Sequence, residues 1–318
     1  MKVGFIGLGN VGAKLAGSVL RNGFDLTVRD LDSSATGEFS RLGAHVANSP
    51  KELAERCDAI ITCLPSPRIS ASVMEDEDGV LAGLSEGNIW IEMSTTDQQE
   101  VLRLGALVSE RGAFAADCPV SGGCHRAATG NIAIFAGCDR IVFDAVFPLL
   151  GAMGRRVLHT GPLGTASILK VVTNYLATAN LVSICEALVT TETTGIDLAT
   201  AYEAIKISSG NSFVHETESQ VILNGSRDIN FTMDLVLKDI SLFQEIAERG
   251  QVPLEISPLL INIFQDAQDR YGAREWSPNV IKRLEEATDL VIQAPGFPAE
   301  IIDYEPEAPG EEVVIAKS

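Results

Sequence analysis

The feature that most limits the fold is Gly7-Leu8-Gly9-Asn10-Val11-Gly12, a G-x-G-x-x-G run that closes the strand-like stretch Val3–Leu8 and opens the amphipathic stretch Ala13–Arg21. In a strand–turn–helix unit each glycine has its own duty. Gly7 permits the tight turn, Gly9 leaves room for a pyrophosphate, and Gly12 lets helix and strand pack closely. The unpaired N–H groups and partial positive charge at the helix start then favour an anion. Alone, the motif also fits an ordinary glycine-rich turn. The next strand-like run, Phe24–Arg29, ends at Asp30, roughly 20 residues past the glycines, where an acid holds the adenosine ribose hydroxyls. Together these predict a bound dinucleotide. A carboxylate at Asp30 accepts from a free 2′-hydroxyl and repels a 2′-phosphate, so NAD is expected over NADP. Two other readings stay open: Asp30 as a cap for the helix starting near Asp32-Ser33-Ser34, and Arg29 turned toward a phosphate.

Up to about residue 160 the chain alternates helical stretches with short apolar runs: Val3–Leu8, Asp25–Arg29, Ala59–Leu64, Asn88–Met93, Ala113–Pro119 and Ile132–Gly137. Runs apolar almost throughout, such as Ala59-Ile60-Ile61-Thr62-Cys63-Leu64, suit strands covered on both faces. The expected fold is therefore α/β, an N-terminal Rossmann doubly wound sheet followed by an all-α C-terminal domain joined by a long interdomain helix. The divisions expected are 1–163 for the NAD-binding domain, 164–293 for the helical domain and 294–318 for an acidic, proline-punctuated tail, an extended or partly mobile strap. Helices are predicted over Thr165–Thr194, Leu198–Ile207, Asp234–Glu248, Leu254–Arg270 and Pro278–Thr288. The first is long enough to span a bilayer. Lys170, Asn174, Asn180 and Glu186 interrupt it, and each would be costly in lipid, so a buried helix is expected and no membrane partner.

With 24 Lys and Arg against 43 Asp and Glu, the net charge of −19 speaks against nucleic-acid binding. The six cysteines show no C-x-x-C spacing and lie among apolar neighbours, which suits reduced thiols. The N-terminal residues read as a strand and not as a secretion signal, so a cytoplasmic protein is expected. No histidine pair has metal-ligand spacing, so no metal is expected, and no G-x-S-x-G elbow points to a hydrolase.

Three later segments carry chemistry. In Ser121-Gly122-Gly123 two residues without side chains let successive N–H groups converge on an anion, with the Ser121 hydroxyl as a further donor; a plain tight turn would look the same. Lys170 lies in the long apolar helix, where an unpaired ammonium is costly and its pKa tends to fall. Asn174 follows at i+4 on the same face, although a lysine snorkelling to the surface fits the pattern equally. The third is Lys238-Asp239, in a later helical stretch.

With Gly7–Gly12, the segments Asp117-Cys118-Pro119-Val120-Ser121-Gly122-Gly123, Lys170-Val171-Val172-Thr173-Asn174 and Lys238-Asp239 make the chain resemble the β-hydroxyacid dehydrogenase family, the group of 3-hydroxyisobutyrate dehydrogenase and tartronate semialdehyde reductase. Order and spacing match from Met1 to about Glu286. The resemblance implies that Ser121, Gly122 and Gly123 bind the substrate carboxylate, that Lys170 is the catalytic lysine, and that Asn174 orients the substrate. It further implies that Leu64, Pro65, Ser94 and Thr95 line the cofactor cleft at strand ends, and that Lys238 closes over cofactor and substrate. The implied activity is hydride transfer between NAD and a small β-hydroxy acid, in a homodimer or homotetramer, the long helix being too apolar for one small domain to cover. Imine reduction on the same scaffold and a non-catalytic dinucleotide-binding module are the alternatives. The chain departs from the family at Arg126, where glycine is usual, and at Thr173, where a second asparagine is often found. The Arg126 guanidinium either re-charges the substrate pocket or points outward, and His125 beside it is either an acid/base or a loop imidazole bonded to backbone.

Overall fold

The structure, a computed structural model, describes residues 1–315 and divides into two compact units: Met1–Lys170 together with the chain from Asp303, and Val171–Ile302. The first boundary thus falls inside the long helix, a few residues past the change of texture at 164, and the tail is shared between the units.

In the first unit the elements run β1 (Lys2–Ile6), α1 (Gly12–Arg21), β2 (Asp25–Arg29), α2 (Ser33–Arg41), β3 (His45–Val46), α3 (Pro50–Arg56), β4 (Ala59–Thr62), α4 (Pro67–Glu75), α5 (Val80–Gly83), β5 (Ile89–Glu92) and α6 (Gln98–Ser109). They continue with β6 (Phe114–Asp117), β7 (Val120–Ser121), α7 (Gly123–Thr129), β8 (Ile132–Gly137), α8 (Arg140–Met153), β9 (Gly154–Gly161) and the start of α9 (Thr165–Thr193). After α9 come α10 (Leu198–Lys206), α11 (Phe213–Asn224), α12 (Met233–Arg249), α13 (Ile256–Tyr271), a 3-10 turn (Ser277–Ile281), α14 (Lys282–Thr288) and, back in the first unit, β10 (Glu311–Glu312).

The sheet order is β10-β9-β8-β6-β5-β4-β1-β2-β3, with β7 beside β8. All pairs are parallel except β6–β8 and β7–β8. Successive side chains of a strand point to opposite faces, and here each face has its own core. Phe5, Ile61 and Ile91 pack with Leu15 and Val19 of α1, whereas Ile6, Ile60 and Trp90 pack with Leu53 and Leu104 on the other face. Full coverage on both sides explains why these runs lack polar alternation. Three helices that leave strand ends begin with side-chain caps: Asp32 accepts the Ser34 N–H, Ser49 that of Glu52 and Ser66 that of Ile69.

Several elements escape the sequence patterns. β9 reads as a loop because Gly154-Arg155-Arg156 lacks apolar character, yet its ladder with β8 makes it a strand. β3, β7 and β10 are two-residue strands defined only by their partners. α11 is capped by Ser212, but its run of His, Glu, Thr, Glu, Ser and Gln hides the apolar stripe. The tail is extended, as its composition implies, and it is fastened. Asp303 accepts from Thr129 Oγ1 and Asn131 Nδ2, Glu307 from Asn22, and Glu312 from Arg140, while β10 pairs with β9.

The second unit buries an apolar core of Leu181, Leu188, Tyr202, Ile222, Ile240, Leu260 and Phe264. Within it Arg227 sets one nitrogen 2.7 Å from each oxygen of Glu285, and both side chains are nearly buried. The helix α9 is long and apolar enough to cross a membrane, and 39% of its most apolar window is buried.

Candidate active site

The glycine turn has the geometry a pyrophosphate needs. Gly7 has φ +99°, and a Cβ there would sit 2.3 Å from the Cys63 carbonyl oxygen; a Cβ on Gly12 would sit 2.0 Å from the Gly7 carbonyl oxygen. Neither site admits a side chain. At Gly9 a Cβ would meet nothing within 4 Å, and Gly9 and Asn10 are exposed, while Leu8 and Gly12 are buried and Val11 half-buried. The turn is therefore closed on the protein side and open in front of the amino end of α1, the cradle for an anion. Asp30, at the end of β2, accepts hydrogen bonds from the Leu8 N–H and, at 2.8 Å, the Asp32 N–H. The capping role belongs to Asp32, so Asp30 serves the turn, and Arg29 donates to the Asp30 carbonyl. These residues fit the adenosine and pyrophosphate portions of a dinucleotide.

At the next strand ends, Leu64 donates its N–H to Ser94 Oγ at 2.7 Å, and Ser94 donates its hydroxyl to Glu92, which also accepts the Ser94 N–H at 2.8 Å. The Ser94 side chain is thus buried and occupied in joining the ends of β4 and β5. It shapes the Leu64–Pro65 edge of the cleft, where Leu64 is half-buried and Pro65 exposed, while Thr95 beside it is half-buried. Glu92, which the sequence patterns did not single out, is fully buried, and burial pushes its carboxyl above the usual range against the hydrogen bonds from Ser94. Its only signal is an acid closing an apolar run, Ile89-Trp90-Ile91-Glu92.

A second such acid closes β6. Asp117 is fully buried and accepts hydrogen bonds from Gly164 N–H (2.7 Å), Ser167 N–H (2.7 Å) and Ser167 Oγ (2.9 Å). Burial outweighs these donors and pushes its carboxyl up to about 6. It fastens the first turn of α9 to the strand that leads into Ser121. One turn further along α9 stands Lys170, 8% exposed, so its side chain is enclosed and not snorkelling into solvent.

The Ser121-Gly122-Gly123 segment lies between β7 and α7, with φ +129° at Gly122 and +86° at Gly123, values that require glycine. Ser121 and Gly122 are half-buried and Gly123 exposed. The His125 ring folds over Gly123, whose added Cβ would lie 2.8 Å from Cε1. Burial first and the Arg126 charge second hold this imidazole below its ordinary range. Arg126 does not project freely outward: it is half-buried and its stem lies along Gly122.

In the second unit Asn174 donates Nδ2 to Asp239 Oδ2 at 2.5 Å, and Lys238 Nζ stands 3.0 Å from Asp239 Oδ1. Asp239, 1% exposed, therefore ties together two residues that the sequence singled out, though sequence reasoning gave it no role. Five of the cysteines are buried and Cys63 is half-buried at the end of β4; among the described residues no group of His, Cys, Asp and Glu has a metal-site arrangement.

A Rossmann sheet with an open glycine turn, an acid at the end of β2 and a helical second unit defines a nicotinamide-dinucleotide oxidoreductase. Residues 2–161 match the family described as the NAD binding domain of 6-phosphogluconate dehydrogenase, and residues 164–284 the one described as NAD-binding of NADP-dependent 3-hydroxyisobutyrate dehydrogenase. The chain is 32% identical over 293 residues to 2-(hydroxymethyl)glutarate dehydrogenase of Eubacterium barkeri, covering 92% of this chain and 97% of that one. It is 30% identical over 295 residues to the NAD-dependent L-serine dehydrogenase of Pseudomonas aeruginosa, covering 90% and 98%. A crystal structure of 3-hydroxyisobutyrate dehydrogenase from Salmonella typhimurium superposes with a TM-score of 0.82 at 27% identity, covering 89% of this chain and 99% of that one. The chain belongs to the β-hydroxyacid dehydrogenase family, and it is an NAD-dependent enzyme acting on a CH–OH group.

Proposed function

We propose that the enzyme interconverts a small β-hydroxy acid, of the 3-hydroxyisobutyrate type that relatives are named for, with its semialdehyde or keto acid. When bound, NAD supplies a hydride acceptor at C4 of its nicotinamide ring. The chain's own residues do the rest. The N–H groups of Gly122 and Gly123 and the Ser121 hydroxyl receive the substrate carboxylate. Asn174, braced by Asp239, is the residue for orienting the hydroxyl-bearing carbon, and the same carboxylate holds Lys238. Lys170 Nζ takes the hydroxyl proton during oxidation and returns it during reduction.

The observation that carries this reading is the enclosure of Lys170 on a helix whose first turn Asp117 fastens to the strand leading into Ser121. The same α9 supports a homodimer or homotetramer. It is apolar over a membrane-length stretch of which 39% is buried, and its exposed Asn180 and Glu186 suit a protein partner better than lipid. The buried thiols and acidic surface are in keeping with a cytoplasmic enzyme that binds no nucleic acid.

Following the absorbance of reduced nicotinamide while NAD is mixed with 3-hydroxyisobutyrate, serine, glycerate, threonate and larger diacids tests the function. Turnover of at least one β-hydroxy acid is expected. Turnover of cyclic imines alone with the reduced cofactor would assign the scaffold to C=N chemistry, and cofactor binding without any turnover would make it a sensor.

A further inference from the structure

We infer that the tail is a positioning strap: Asp303 and Glu307 hold the carboxyl ends of α7 and α1, and through those helices the two glycine turns at their amino ends, Ser121–Gly123 and Gly7–Gly12. For Ser121–Gly123 this rests on its reading as the carboxylate cradle. The strap lies beyond the stretch that matches the family, which ends at residue 284.

The first observation is a weakness built into both turns. A cradle for an anion needs bare backbone, and each turn is made of glycines: φ is +99° at Gly7, +129° at Gly122 and +86° at Gly123, and a Cβ on Gly9 would meet nothing within 4 Å. Glycine loses more conformational freedom on folding than any other residue, so such a turn does not by itself hold the helix that follows it. With 10 residues in α1 and 7 in α7, the helices are stiff rods of about 15 and 10 Å. Holding the far end of each restricts the turn at its start.

The second is where the tail lands. Asp303 Oδ2 accepts from the hydroxyl of Thr129, the last residue of α7, and at 2.8 Å from Asn131 Nδ2 just past it. The same amide donates to the Glu305 carbonyl at 2.7 Å. At the end of α1, Glu307 accepts from Asn22 Nδ2 at 3.0 Å and from Arg21 Nε at 3.4 Å. Arg21 also donates to the Ala128 carbonyl of α7 at 2.9 Å, and Asn22 to the Ala152 carbonyl of α8 at 3.2 Å, so one carboxylate gathers the ends of three helices. Gly130, the left-handed residue that ends α7, lies under the same group: a Cβ there would sit 3.0 Å from Glu307 Oε1.

The third is that the strap is itself made fast. The Gly310 N–H donates to the Gly151 carbonyl at 2.9 Å, and a Cβ on Gly310 would sit 2.3 Å from the Gly154 carbonyl oxygen. β10 then pairs with β9, with Glu311 2.6 Å from Arg156 and Glu312 2.6 Å from Arg140. Exposed ion pairs of this kind contribute little, so the backbone pairing and the close seat of Gly310 carry the anchorage.

The test uses Asp303→Ala and Glu307→Ala in the full-length chain, with Glu300→Ala, an exposed tail acid that changes the charge equally, as control. Kd for NADH is read by fluorescence titration, and KM and kcat with a β-hydroxy acid that the enzyme turns over. Asp303→Ala should raise KM for the acid, and Glu307→Ala the Kd for NADH, about 3–10-fold each, the size of one lost hydrogen bond, with kcat within about twofold of wild type. Glu300→Ala should leave all three unchanged. A chain ending at Ile302 should show both defects, and a synthetic peptide of residues 303–315 should reverse them; the point variants decide whether or not the shortened chain folds. Unchanged Kd and KM in the two variants, an equal rise in Glu300→Ala, or a fall in kcat at constant KM, the mark of a tail that only stabilises, would each overturn the inference. The NADH titration needs no turnover, so a weakened Kd in Glu307→Ala of an enzyme that turns over no hydroxy acid would remove the proposed function and leave the strap standing.

Discussion

The carboxylate of Asp117 receives both the backbone N–H and the hydroxyl of Ser167, at 2.7 and 2.9 Å, so that the last residue of β6 anchors the first turn of α9. Lys170 rides on the next turn. Asp117→Asn keeps the shape but loses one acceptor oxygen, which loosens this joint. We expect kcat to fall by about 10–100-fold, as small misplacements of a reacting group do, while NAD affinity stays near wild type because the glycine turn is untouched. Kinetics and a cofactor titration on the same variant check this. Loss of NAD binding in parallel with kcat would mean a general collapse of the fold.

The same residue has a pH signature. Its folded pKa is about 6, raised from 3.8, so between these values the folded chain holds a proton that the unfolded chain has released. The stabilising contribution of the protonated form is complete below about 4 and is lost as pH rises through about 6, on the order of 2–3 kcal/mol. Wild-type stability measured against that of Asp117→Asn by denaturant titration from pH 4 to 7 should show this difference. A wild-type advantage that grows with pH would reverse the assignment of burial as the dominant effect.

Lys170→Ala removes the proposed acid/base. Turnover should drop by at least ~10²–10⁴-fold, with NAD binding within a few-fold of wild type. Normal turnover would eliminate the residue from the mechanism.

Asp30 braces Leu8, and we propose it as the acid that holds the ribose hydroxyls. Asp30→Ala should cut the preference for NAD over NADP about tenfold or more through the lost carboxylate, and should raise KM for NAD. The kcat/KM ratio for the two cofactors is the readout, and an unaltered ratio would return Asp30 to a purely structural role.

In the second unit Glu285→Ala strands the Arg227 guanidinium, which is nearly buried. Breaking such a pair from one side typically costs about 3–5 kcal/mol. Chemical denaturation should report that loss, and a change below about 1 kcal/mol would mean that water reaches the pair.

Much of the site was legible because its signals are local. Gly12 is required by the Gly7 carbonyl of its own turn, and Gly7, Gly122 and Gly123 by their φ values. Lys170 and Asn174 stand out as polar residues in an apolar helix, and Asp30 is marked by its distance from the glycines. The hydroxyl of Ser94, a residue the resemblance implies for the cofactor cleft, is buried between Leu64 and Glu92, and nothing in the sequence tells a serine facing a ligand from one facing a neighbouring strand. β9 was missed because a strand can draw its stability from the ladder beside it and not from its own side chains.

By itself, then, the order of residues determined the alternating strands and helices, the dinucleotide turn, the family and the lysine on which the chemistry is proposed to turn. All of these depend on spacing along the chain. Only the tertiary structure decided that Glu92 holds the Ser94 hydroxyl that joins the ends of β4 and β5, that Asp117 reaches Ser167 fifty residues away, and that Asp303 comes back across 174 residues to Thr129 at the end of α7. The reason is physical: a buried carboxylate is stable only where donors converge on it, and that convergence exists only once distant parts of the chain have packed together.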